Sequence, residues 1–126
     1  MIQRNAIQRN TPQQMVTREG GNMIEKVHKL ATGNEKAVEK VIMDENVHYI
    51  HMVFNKDEGL PQHNANSNVY MTVVRGTLTI ALDDQDPHRY EGGTLLKIPF
   101  GTRMDVGNKD DVTLELIVVK APAPKA

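Results

Sequence analysis

From residue 38 to residue 119 the chain alternates short apolar runs with clusters of turn-forming residues. Residues 38–43 (Val-Glu-Lys-Val-Ile-Met) are closed by Asp44-Glu45-Asn46, and residues 47–54, rich in β-branched and aromatic side chains, by a turn-rich stretch at 55–59. Residues 69–74 form a nearly continuous apolar run that ends at Arg75-Gly76. Residues 77–82 alternate cleanly, which puts Leu78, Ile80 and Leu82 on one face of a strand. Turn clusters follow at 83–87 and at Gly92-Gly93, then apolar segments at 95–98, 104–106 and 113–119, with a break at 99–101. Many short strands punctuated by turns predict an all-β sandwich or barrel. Two ends fall outside this pattern. Residues 1–22 repeat Ile-Gln-Arg-Asn and bury little, so they are expected to form a flexible extension or an arm. The tail Ala121-Pro122-Ala123-Pro124 is expected to run extended and to join no ladder. Between them, Ile24, Val27 and Leu30 share a helical face, and the segment around 23–30 reads as either a short helix or a strand.

Composition narrows the chemistry. A chain of 126 residues, 39% hydrophobic, suits one core and a single domain, here residues 23–126. It has no cysteine, which excludes disulfides, thiolate metal sites and thiol catalysis. The 15 basic and 16 acidic residues leave a net charge of −1, and aromatic residues make up 4% of the chain. That is neither the basic footprint nor the stacking surface of a nucleic-acid binder, and it offers nothing to an anionic membrane. No apolar run reaches the length of a spanning helix, and the amino terminus lacks the apolar stretch of a secretory signal. A cytoplasmic location is therefore expected. The chemistry falls to five histidines and the carboxylates.

Two spaced motifs sharpen the fold. His63, Ala65, Val69 and Gly76 stand where the first cupin motif has histidine, histidine, glutamate and glycine. Gly93, Pro99, Gly101, Met104 and Asn108 stand where the second has glycine, proline, glycine, histidine and asparagine. Across residues 47–119 the chain resembles a small single-domain cupin, an antiparallel jelly-roll barrel. Every turn-forming position is kept: Gly76 closes a hairpin, Pro99 stops a ladder, Gly101 turns the chain back, and Asn108 sits in a turn before the last strand.

The resemblance also implies a site. In cupins the two histidines, the glutamate and the third histidine hold an iron, manganese, nickel or zinc ion. Here three of those positions are Ala65, Val69 and Met104, and His63 is the one ligand left. Alanine and valine have no lone pair, and a thioether is a poor donor to hard divalent ions. No metal cofactor is expected. The residual metal reading requires His51 to face inward, where His51, His63 and Met104 would form a soft cluster suited to copper(I). His48 and His51 lie three apart on one strand, so at most one of them faces the interior.

The expected pocket is apolar, lined by His63, Ala65, Val69 and Met71, with Met104 from the opposite wall and His51 as a further candidate. Its leading function is binding of a small molecule without metal. An enzyme is the second reading, either an acid–base isomerase or epimerase using His63, in which Tyr49 would be the partner, or a metal enzyme on the rebuilt site. A structural or protein-interaction barrel without ligand is the third. The resemblance also implies a homodimer, with residues 23–43 and the arm as its candidate interface. His28 and His88 lie outside the motif strands; His88 and the carboxylates Asp83, Asp84 and Asp86 are expected on a solvated turn.

Overall fold

The structure, a computed structural model, describes residues 23–125. The candidate arm at 1–22 lies outside them. The chain divides into two units, Met1–Gly33 and Asn34–Ala126. In the first, the described residues form neither the helix nor the strand that their spacing suggested. Of that apolar face, Ile24 and Val27 are exposed and Leu30 is partly buried.

The second unit is built from nine strands: β1 Ala37–Met43, β2 His48–Phe54, β3 His63–Asn64, β4 Val69–Arg75, β5 Thr77–Leu82, β6 His88–Glu91, β7 Leu95–Ile98, β8 Arg103–Gly107 and β9 Leu114–Lys120. They form a five-stranded sheet in the order β1-β2-β9-β4-β7 and a four-stranded sheet in the order β3-β8-β5-β6. Every pairing is antiparallel. Period-two alternation turns Ile50, Met52 and Phe54 of β2, Val69, Met71 and Val73 of β4, and Leu114, Leu116 and Val118 of β9 to one side. Leu78 and Ile80 of β5 and Met104 and Val106 of β8 meet them from the other sheet, closing one apolar core.

Most strands fall where the apolar pattern placed them. β3 and β6 do not, because they are two and four residues long and mostly polar. His88 is thus a strand residue rather than a turn residue, though exposed as expected, and its ring meets Tyr90 edge-on at 6.2 Å.

The motif's turn residues have structural work. Gly76 has φ +81°, and a Cβ there would stand 2.4 Å from the carbonyl oxygen of Thr113. Only glycine tolerates both conditions. Asn108 is fully buried: its Nδ2 donates to the carbonyls of Phe54 (3.0 Å) and Val112 (2.9 Å), and its Oδ1 accepts from the Asp110 amide (2.9 Å). The tail joins no ladder but is pinned, since the Ala121 amide donates to Asn68 O and the Ala123 amide to Asn46 O.

Two irregularities in register shape the outer face. Pairing between β1 and β2 shifts between Lys40 and Ile42, and pairing between β4 and β9 shifts between Val73 and Arg75. The second shift leaves Val74 as the extra residue and sets Arg75 directly opposite Glu115, on the side away from the core.

Candidate functional site

His63 sits on the shortest strand, β3, directly opposite Met104 of β8. Its Nδ1 lies 2.9 Å from the carbonyl oxygen of Pro61. A carbonyl only accepts, so Nδ1 carries the proton and the neutral ring keeps its lone pair on Nε2. This local hydrogen bond sets the tautomer without help from a carboxylate.

His63 lines a cavity of about 250 Å³ between the sheets. Ile50 and Met52 from β2, Val69 and Met71 from β4, and Val118 and Lys120 from β9 form one wall. Met104 and Val106 from β8, with Leu60 and Pro61, complete the other. Of the pocket residues read from the sequence, His63, Met104, Val69 and Met71 are brought together here. Two corrections follow. Met104 shares a wall with His63, because β3 pairs with β8. Ala65 is buried in the core, yet it is not part of the lining.

His51 is the larger correction. It is fully buried, but on the outer face of the five-stranded sheet, since Ile50 and Met52 take the inward positions of β2. Its Nδ1 lies 2.7 Å from Glu39 Oε1 and its Nε2 2.6 Å from Glu115 Oε2. Glu39 is its direct cross-strand partner. The chain continues from Glu115 Oε1 to Arg75 Nε at 2.8 Å, and from Arg75 Nη1 to Asn34 Oδ1 at 2.8 Å. With both carboxylates ionised, the ring donates from both nitrogens. His51, His63 and Met104 therefore do not converge, and the copper(I) cluster is not formed.

Burial raises the Glu115 carboxyl, but hydrogen bonds from His51 and Arg75 and their charges outweigh it and hold it below its usual value of 4.5. A carboxyl lowered on folding stabilises the fold fully above its unfolded pKa and loses that contribution as pH falls through the folded value. Urea denaturation should show stability falling below about pH 4.5, and Glu115→Gln should flatten that part of the profile. An unchanged slope in the variant would contradict the clamp.

The remaining candidates lie elsewhere. His48 borders a separate outer hollow with Asp44, Phe100 and the tail. Neither histidine of β2 reaches the cavity. Tyr49 shares the outer face with His51, and Tyr70 faces away from Val69, its ring 5.7 Å from Lys97 Nζ. No tyrosine lines the cavity among the described residues, which removes the histidine–tyrosine pair expected of an isomerase. His28 is exposed. At the acidic tip Asp83 Oδ1 accepts from the Arg103 amide and Asp84 pairs with the Arg103 guanidinium at 3.0 Å.

Lys120 was not among the sequence candidates, yet it lines the cavity. The signal was present: alternation from Leu114 through Leu116 and Val118 carries position 120 inward. Burial lowers the Lys120 ammonium from its usual value, and the nearby charge of Lys40 lowers it further.

The comparisons with known proteins agree with this geometry. Over 104 residues the chain is 39% identical to an uncharacterised protein of Methanocaldococcus jannaschii, an alignment spanning 82% of this chain and 90% of that protein. That protein's 1.70 Å crystal structure is described as an RmlC-like cupin with a double-stranded β-helix fold. It matches with a TM-score of 0.79 and 38% identity over 82% of this chain and 95% of that one. The chain belongs to the cupin family. No family model matches the sequence. A cupin superfamily protein of Desulfitobacterium hafniense matches at 12% identity and a TM-score of 0.63, over 84% of this chain and 98% of that one, which shows the shared fold alone.

As a cupin, the chain has a donor set that does not suit the family's metal. The positions the family gives to ligands hold His63, Ala65, Val69 and Met104, one imidazole and one thioether. Among the described residues no three His, Asp or Glu side chains group closely enough to hold an ion. A tight divalent site needs three or more hard or borderline donors, and this cavity supplies one.

Proposed function

We propose that this cupin binds a small organic molecule in the barrel cavity without a metal ion, acting in the cytoplasm as a homodimer. The observation that carries the reading is the cavity itself. Its walls are apolar and thioether side chains, with His63 and Lys120 as the two polar ones. Apolar concavities with a few placed polar groups are where small ligands bind. Scaling from a cavity of roughly 150 Å³ that holds benzene, about 250 Å³ takes a ligand of about ten non-hydrogen atoms.

A thermal-shift screen over small acids, alcohols, sugars and nucleotides tests this. A compound at about a hundred times its Kd stabilises the fold by about 2.7 kcal/mol, a shift of several degrees for a domain this size. Val118→Phe, which fills the cavity, should abolish the shift while circular dichroism stays unchanged. Shifts that survive filling would place the binding elsewhere. Elemental analysis of protein purified without chelator should find far less than one transition metal per chain; one equivalent, lost in His63→Ala, would contradict the metal-free site.

Acid–base catalysis is the second reading, favoured by the tautomer that Pro61 imposes on His63, which leaves Nε2 free to take a proton. Chemical change in a bound compound, lost in His63→Gln with binding retained, would establish it.

A further inference from the structure

The cavity lining is unbalanced in charge. Lys120 contributes an ammonium, and no carboxylate lines the space around it. Among the described residues the Lys120 amine has no hydrogen-bond or ion-pair partner, whereas Lys56, Arg75, Arg89 and Arg103 each have an acidic one. Lys40, on β1 two strands away in the same sheet, adds positive charge that Lys120 feels, rather than relieving it. Opposite, on the other sheet, His63 has Nδ1 engaged by the Pro61 carbonyl and turns no committed donor to the space. Everything else in the lining is apolar, three of the residues being Met52, Met71 and Met104.

We infer that the cavity selects a small, mainly apolar monocarboxylate, its carboxylate seated on Lys120 and its hydrocarbon body against the methionine-rich walls. This rests on the proposed small-molecule binding and names the class of molecule bound. A charge at a part-buried position is favoured when an opposite charge meets it there, and the free protein supplies none. One ammonium matches one negative charge. A phosphate ester, doubly charged and richer in acceptor oxygens, would call for more donors than one lysine provides. The flexible thioethers adapt to linear or aromatic bodies alike, so charge and size set the selectivity more than shape does.

Matched pairs separate this from binding in general. Hexanoate, benzoate and phenylacetate are titrated by calorimetry against their amides, hexanamide, benzamide and phenylacetamide, into the full-length protein and into Lys120→Met. The acids should bind the wild type at least about tenfold more tightly than their amides, the worth of one charge-assisted hydrogen bond. Lys120→Met should erase that preference while still binding the amides, which also shows that the variant is folded. Lys120→Arg should keep the preference for acids. Equal affinity for acids and amides in the wild type, or a preference unchanged in Lys120→Met, would overturn the assignment and leave small-molecule binding standing. If neither set binds and the wider screen is also blank, the binding function itself fails.

Discussion

Replacing His51 by alanine is expected to lower the stability of the barrel by about 3 kcal/mol, at the lower end of what breaking a buried ion pair costs. The residue lies on the far side of the five-stranded sheet from the cavity, so the loss is one of folding alone. Each ring nitrogen serves a carboxylate, at 2.7 Å and 2.6 Å. Removal takes the imidazole from both Glu39 and Glu115, which are 24% and 19% exposed and only partly rehydrate. The signature is recovery. In the His51→Ala background, Glu39→Gln together with Glu115→Gln should restore part of the loss, because the residual cost lies in carboxylates left without the ring. Urea denaturation of the single and combined variants checks this; simple additivity would show that His51 acts through packing instead.

Asn108→Ala should cost at least as much, about 3–4 kcal/mol. One amide serves the carbonyls at the end of β2 and before β9 and the amide of Asp110, all around a fully buried site. Alanine leaves these groups without their partner and opens a small void. Asn108→Asp distinguishes hydrogen bonding from volume. It keeps the shape but turns an oxygen towards two carbonyls, so its deficit relative to the wild type should shrink as pH falls and the acid becomes a donor. A deficit independent of pH would mean that the side chain matters only as filler.

These two residues also mark how far the sequence could be read. Asn108, Gly76 and the long strands were legible because their demands are local: a turn, a positive φ, or an apolar alternation. Of the four lining residues identified in advance, Val69 and Met71 follow from that same alternation on a correctly placed strand, and His63 and Met104 from the spacing of the two cupin motifs. His51 was not legible. A histidine flanked on both sides by apolar residues carries no mark of which face is inward, and the one it takes is buried by carboxylates from β1 and β9 far away in sequence. The register irregularity that turns Arg75 outward is equally invisible without the partner strand. The placement of Met104 beside His63 depended on β3, a strand too short and polar to announce itself. Lys120 was within reach, one alternation step past Val118, but a lysine ending a strand reads as a solvated terminus.

The position of the ligand is tested most directly by labelling the methionine methyl groups with carbon-13 and titrating the protein with the compound that gives the largest thermal shift. Met52, Met71 and Met104 line the cavity, while Met23 and Met43 are not among its lining residues and are 39% and 46% exposed. Binding in the barrel predicts that the three cavity methyl signals move together and saturate with the calorimetric Kd, with Met23 and Met43 unmoved. Saturable binding that leaves Met52, Met71 and Met104 in place would contradict it.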